Sequence, residues 1–553
     1  MNLLKPSLLK HFPLFLLAIY SASMIFIGLG DNLLQVDEGN DTFISTNILK
    51  FGLPTHSDGV NHTMLWASSH DGLFVYRPWI PYYIQAFSLS IFGQTTFAAR
   101  LPFALCGVLS VIFLYRFALK FTGRQFIAFL AAFLLASSIP ALIYFRTARY
   151  VGLPILLSIL LLSFYIEIYK NKKWNPLPLT VVSVIFFHTM YVEFAGMILG
   201  ILIHFFIYYK EALSENRQRV AWAAGITGVF CIPWLIFISP MFSKVTQYLA
   251  SWNTQIDLSW HGYIKRFLGF LFQVNNYIFP FILLPLFFLR QFRPFTKQVS
   301  LLLICILTVL LTALPHAMPI QQYISASFPL FFLLLAILIV NIFPKFLLAQ
   351  SLLVTFLITS NLIHICLFFP LKQIVKDHPE WFQKSTYFEN TFNSLIREIK
   401  FKSVYFDYIY EISHDYKGPL DEIVAFFKVN GKPGESCYID NEPESLVYYT
   451  RMKVIRRDHI KAQDAPDWIV LRGDYRESVK DNSSSKIARN LRAILSKHPY
   501  SKIELNSPAM RVNNTYDIQI HLFRSPSSAN TDKVTIYKRA NHSPKRKLPE
   551  SIL

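Results

Sequence analysis

The sequence predicts a polytopic α-helical membrane protein with a C-terminal soluble α/β domain. Three observations carry that fold class. Of 553 residues, 53% are hydrophobic and 16% aromatic, and the mean hydropathy is +0.36, more apolar than soluble domains run. Apolar runs recur with short basic or polar breaks between them, and crossing about 30 Å of hydrocarbon takes about 20 such residues. Beyond residue 370 the character changes to charged, with no spanning run.

Taken in order, the expected spans are 12–30, 98–119, 125–145, 151–169, 176–192, 194–209, 220–239, 274–289, 299–315, 324–343 and 346–369, about eleven in all. With a cytoplasmic N-terminus, the inner breaks hold fifteen Lys and Arg and the outer ones eight. The positive-inside rule favours that orientation. An odd span count then places the C-terminus outside the cytoplasm. The same breaks account for much of the net charge of +19, which points to anionic membrane lipids as partners rather than nucleic acid. The first run has no small-residue cleavage site after it and is expected to be retained. The five cysteines show no CxxC and no His-Cys spacing, so neither a disulfide set nor a zinc site is legible.

In 371–535 the pattern becomes one of short elements. "GPLDEIVAFFKVNG" and "SKIARNLRAIL" read as helices, whereas "SCYID", "KVIRRD" and "PDWIVLR" read as strands. The tail 536–553 is expected to be disordered.

Between the first two spans lies a long outer loop, 31–97. It opens on "LLQVDEGNDT", which sets Asp37, Glu38 and Asp41 within five residues just past an apolar run. Further on, "PWIPYYIQAFSLSIF" reads as an amphipathic helix at the interface. Loops of this length in compact proteins tend to be functional or disordered, and this one is too aromatic for plain disorder. On residue type alone the acids are equally suited to solvation or to capping the next helix.

"VDEGNDTFISTNILKFGLP" resembles the first outer loop of polyprenyl-phosphate-sugar glycosyltransferases of the GT-C superfamily, the group that includes protein O-mannosyltransferases and lipid A aminoarabinose transferases. There an Asp-Glu pair is followed by a helix and a turn. "YRPWIPYYIQAF", "ARLPFALCGVLSVIFLY", "FRTARYVGLPILLSILLL" and "QQYISASFPLFFLLLA" continue the resemblance in order and sidedness over about the first 370 residues. It implies a GT-C type transmembrane catalytic domain over 1–370, in a cell inner or plasma membrane, with its site on the extracytoplasmic face.

The resemblance also implies roles. Sugar on a polyprenyl phosphate has a good leaving group, but the acceptor hydroxyl must lose a proton as it attacks, and a carboxylate can take it. Asp37 is the expected base, with Glu38 orienting it or binding the acceptor. The departing phosphate needs fixed positive charge, for which Arg77, Arg146 and Arg149 lie on the outer side. Tyr83, His188, Gln322 and Tyr323 are further candidates for substrate contact. Arg77 stands where the family usually has Lys. Tyr150 and Val151 stand where many relatives have another acid, so no clear metal ligand set is legible and no cofactor is assigned. The implied partners are a polyprenyl-phosphate-linked sugar and a lipid, glycan or protein acceptor. A transporter or flippase would show repeated halves with broken helices, which are not evident here. A non-catalytic partner in envelope polysaccharide assembly is the third reading, and the C-terminal domain permits it.

Overall fold

The structure is a computed structural model. It describes residues 6–63, 72–170, 174–251, 259–288, 296–316, 318–366, 401–415, 417–457, 459–472, 485–508, 514–523 and 531–540. The N-terminal two-thirds is helical. It runs α1 (Pro6–Phe26), α2 (Val36–Phe51), α3 (Ile80–Phe92), α4 (Thr96–Thr122), α5 (Gln125–Ser137), α6 (Ile139–Phe145), α7 (Gly152–Lys170), α8 (Leu177–Phe187), α9 (Tyr191–Tyr208), α10 (Lys210–Ser251) and α11 (Trp260–Tyr277). After a 3-10 turn follow α12 (Thr296–Ala313), α13 (Phe328–Ile342), α14 (Leu347–Thr359) and α15 (Leu362–Ile365).

Among the described residues, four helices are long and apolar enough to cross a membrane, and five if the bent pair α5–α6 counts as one span. Five further apolar helices are shorter. The architecture is thus a helical membrane protein with several apolar helices, fewer of spanning length than the eleven expected. Two differences have local causes. The run expected at 274–289 leaves α11 at Tyr277 and continues as a 3-10 helix, Phe281–Phe288, because Pro280 and Pro285 each lack the N–H that an α-helix needs. The run expected at 125–145 bends by 66° between α5 and α6, where Pro140 removes a backbone donor. The end of the last expected span, 367–369, lies outside the described residues.

Local chemistry sets the elements around the loop 31–97. Gln35 caps α2 in a capping box, its side chain accepting from the Asp37 N–H while Glu38 accepts from the Gln35 N–H. Gly52 ends α2 with φ 76°, a left-handed conformation suited to glycine. Gln85 of α3 reaches Ser45 at 2.6 Å and Thr42 at 3.0 Å, locking α3 against α2.

The C-terminal part holds a five-stranded mixed sheet of order β2-β1-β3-β5-β4. Here β1 is Ser436–Ile439, β2 Lys453–Ile455, β3 Trp468–Leu471, β4 Tyr500–Pro508 and β5 Thr531–Arg539. β1 pairs in parallel with β2 and β3, while β5 is antiparallel to β3 and β4. Trp468 of β3 packs under Phe426 and Phe427 from the helix Pro419–Asn430. β5 extends to Arg539, into the segment expected to be disordered; 541–553 lie outside the described residues. The sheet region does not stand apart from the helices. The helix Pro443–Thr450 packs on α2, and the Tyr449 hydroxyl accepts from the Leu34 N–H at 2.9 Å.

Candidate active site

α2 carries Asp37, Glu38 and Asp41, and its first two turns face the interior. Glu38 and Asp41 are buried, whereas the Asp37 side chain keeps 27% of its exposure. Of the three acids, Asp37 is thus the one whose side chain keeps solvent exposure.

Arg77 and Arg149 come from opposite sides to meet these acids. Arg77, on the loop before α3, donates through Nη1 to both Asp41 oxygens at 2.8 and 3.2 Å. Arg149, in the break between α6 and α7, is fully buried; its Nη1 lies 3.3 Å from Asp37 Oδ2 and its Nε 3.4 Å from Asp41 Oδ2. Arg149 Nη1 also donates to Gln322 at 3.2 Å, whereas Nη2 is buried with no hydrogen-bond partner among the described residues. The Tyr82 hydroxyl adds a donor to Asp41 at 3.3 Å. The ring of Tyr150, where many relatives carry an acid, sits 5.3 Å from the Arg77 guanidinium and 5.5 Å from that of Arg149.

The two carboxyls respond differently to this shared surrounding. Burial works to raise Asp37, but Arg149, Arg77 and the Tyr516 hydroxyl outweigh it, and the group lies below its ordinary value. For Asp41, burial together with the charge of Asp37 outweighs the same two arginines, and the group lies above its ordinary value. Asp37 is thus the lower and the more exposed of the two carboxyls.

Other expected residues fall elsewhere. Glu38 accepts both Arg100 Nε and Nη2 at 2.8 Å, the Ala148 N–H at 2.7 Å and the Gln35 N–H at 3.1 Å. It ties α2 to α4 and to the loop bearing Arg149. Arg146, expected at the phosphate, instead donates through Nη1 to the carbonyls of Ile25 and Ile27 at 2.7 and 2.6 Å, closing the C-terminal end of α1. The Tyr83 hydroxyl is exposed and donates to the Gly52 carbonyl. His188 bonds the Phe230 carbonyl and lies edge-on to Trp234, in the aromatic cluster beside Arg77. Tyr323 stacks on His316 with centroids 3.7 Å apart, next to Gln322. Glu193 holds that turn through the Ser325 hydroxyl and the Ala326 N–H.

Sequence reasoning missed Arg100 and Tyr516. Arg100 sits in "ARLPF", a motif read only for its order in the chain. Tyr516 lies in the C-terminal part, where nothing local marks it. Among the described residues, no group of three or more His, Cys, Asp or Glu is placed to hold a metal ion.

Residues 76–237 match a family described as dolichyl-phosphate-mannose-protein mannosyltransferase. Among curated proteins, none matches in sequence. In three dimensions the apo crystal structure of ArnT from Cupriavidus metallidurans aligns with a TM-score of 0.53 at 12% identity, over 96% of this chain and 98% of that one. ArnT bound to undecaprenyl phosphate aligns at 0.49 and 12% identity over the same shares. The oligosaccharyltransferase AglB from Archaeoglobus fulgidus, in complex with an inhibitory peptide and a dolichol-phosphate, aligns at 0.47 and 11% identity over 94% and 76%. At such identity the first likeness speaks for the fold. The matched family segment and the ArnT-like fold together bear out the resemblance to GT-C glycosyltransferases of the polyprenyl-phosphate-sugar type.

Proposed function

We propose that the chain is an inverting glycosyltransferase that moves a sugar from a polyprenyl-phosphate donor to a hydroxyl acceptor on the extracytoplasmic face of the membrane. The observation that carries this reading is Arg149. A buried guanidinium whose Nη2 has no partner among the described residues, set beside a partly exposed carboxylate, places an anion-binding donor next to a proton acceptor. In the reaction, the acceptor oxygen forms a bond to the anomeric carbon while the bond from that carbon to the phosphate oxygen breaks. Asp37 takes the acceptor proton, and the electron pair leaves with the polyprenyl phosphate, which Arg149 and Arg77 neutralise. Asp41 anchors both arginines. Glu38 acts at one remove, by fixing α2 through Arg100. Gln322 orients Arg149, and Tyr323 walls that side.

A panel of labelled undecaprenyl-phosphate sugars, offered to the purified protein with membrane lipid and glycan extracts, tests the reading. Wild type should transfer one of them, and Asp37→Asn should transfer it about 10²-fold more slowly or worse while still binding undecaprenyl phosphate. Equal transfer by both proteins would remove Asp37 from the chemistry. The orientation has its own test. Val429 is 82% exposed on the sheet region, so Val429→Cys should react with a membrane-impermeant maleimide in intact cells. Labelling only after the cells are opened would put this face in the cytoplasm.

A further inference from the structure

Residues 514–523 lie between the strands β4 and β5 in sequence, yet they pack against the membrane helices. Ile518 and Tyr516 are buried in the same core as α5, α6 and α13. Several contacts pin the segment. Asn514 Nδ2 donates to the Leu522 carbonyl at 2.6 Å, and the Leu522 N–H returns to Asn514 Oδ1 at 2.8 Å. His521 Nε2 lies 2.8 Å from Glu411 of the helix Val404–Ser413. That helix is itself tied to α1 by a Tyr405–Tyr20 hydroxyl pair at 3.0 Å. The segment is therefore held by both the helix Val404–Ser413 and the membrane helices.

Its tip is Tyr516, 8% exposed. The ring lies under the Arg149 guanidinium, with Cζ 4.2 Å from the centroid, inside the range of a favourable cation–π contact. Its hydroxyl adds to Arg149 and Arg77 in lowering Asp37. Tyr144 of α6 backs the ring at 6.4 Å. One side chain from the far end of the chain thus stacks on the cation of the site and acts on its carboxylate.

We infer that Tyr516 is a positioning residue: its ring holds the Arg149 guanidinium against the acids where the donor phosphate departs, and its hydroxyl steadies Asp37 as the base. The inference rests on the roles given above to Asp37 and Arg149. It assigns the C-terminal region a part in building the site, which explains why that region is packed onto the outer loop. The groups facing Asp37 are Arg149 from the α6–α7 break, Arg77 from the loop before α3, Tyr516, and Asp41 on its own helix. Removing the hydroxyl takes away one of the influences that keep Asp37 deprotonated.

The test uses the full-length enzyme, with undecaprenyl phosphate as the binding probe and the labelled donor that wild type turns over. Tyr516→Phe keeps the ring. It should bind the probe as wild type does, lose about tenfold in kcat, and show its acid limb at higher pH. Tyr516→Leu removes the ring as well and should in addition weaken probe binding by about tenfold. Thermal unfolding checks that both variants are folded, and where the Leu variant is not, the Phe variant decides alone. Wild-type kcat and acid limb in Tyr516→Phe would overturn the inference. So would faster transfer, which would make the segment a plug. Asp37→Asn in the same assay separates the two levels. If it is active, the proposed reaction fails; if it is inactive while Tyr516→Phe behaves as wild type, only the role of Tyr516 fails.

Discussion

Arg149 Nη1 lies 3.3 Å from Asp37 Oδ2, while Nη2 of the same buried guanidinium has no hydrogen-bond partner. The group is thus engaged on one edge and buried without a partner among the described residues on the other, a donor that a phosphate entering there would satisfy.

Arg149→Lys keeps the charge but loses the fork. A charge-assisted hydrogen bond is worth about 1.5–3 kcal/mol, so undecaprenyl phosphate should bind roughly tenfold or more weakly to this variant. Arg77→Lys should be milder, because Nη1 of Arg77 is directed at Asp41. Isothermal titration in detergent would measure both. Unchanged affinity in Arg149→Lys would mean that the phosphate lies elsewhere.

The depressed Asp37 carboxyl fixes the sign of a pH effect. A base whose value lies below its ordinary one is deprotonated throughout the neutral range and loses activity only as pH falls through that lowered value. The acid limb of kcat/KM should therefore lie below about pH 4, the ordinary aspartate value. Arg77→Gln removes one of the cations that lower Asp37, so its limb should move up. A wild-type limb above pH 4 that persists in Asp41→Asn would contradict an anionic Asp37 held by the arginines. If Asp41→Asn abolishes that limb, it reports Asp41, whose raised value predicts protonation at higher pH.

Glu38 and Arg100 make a stability prediction. Their side chains are 1% and 9% exposed and share two bonds of 2.8 Å. Removing one partner of a buried pair leaves a charge without compensation, at about 3–5 kcal/mol. Glu38→Gln should lower the unfolding temperature and the amount of protein in the membrane, while the folded fraction still binds donor. The double change Glu38→Gln with Arg100→Gln should recover part of the loss. Wild-type stability with lost transfer in Glu38→Gln would instead place Glu38 in the chemistry.

What was legible in the sequence follows from how far each signal reaches. Asp41 and Arg77 lie in one loop, within motifs of fixed order, and they do meet. Apolar runs announce membrane helices, but composition does not distinguish α-helix from the 3-10 turn at Phe281–Phe288, where spacing of prolines decides. β1, β2 and β3 were legible as short runs of β-branched and aromatic residues. β4 was not, because its residues alternate weakly and many are polar and exposed. Arg146 and Arg149, three residues apart, look alike in sequence. The short break between α6 and α7 turns one toward the end of α1 and the other into the acids. Arg100 and Tyr516 find their partners only through tertiary packing, so no local pattern could have marked them.

Gly39 gives a prediction in which the sign is the test. It lies on α2 between Glu38 and Asn40, where glycine costs a helix about 1 kcal/mol relative to alanine. A Cβ at Gly39 would lie 2.8 Å from the Ser445 N and 3.1 Å from its Cα, and would also meet Ser445 Oγ. Ser445 belongs to the helix Pro443–Thr450, and its hydroxyl reaches the Gln35 carbonyl at 3.3 Å. The missing side chain is therefore where the C-terminal region seats on the helix that bears Asp37. If α2 stood alone, Gly39→Ala would stabilise it. With Ser445 backbone in the way, the same change should act as overpacking, at about 1–3 kcal/mol, lowering the unfolding temperature and opening the C-terminal region to limited proteolysis. Transfer should fall with it, because the seat of Pro443–Thr450 and the placement of Asp37 share α2. A Gly39→Ala protein that is more stable than wild type, with normal transfer, would show that the two helices do not press together there.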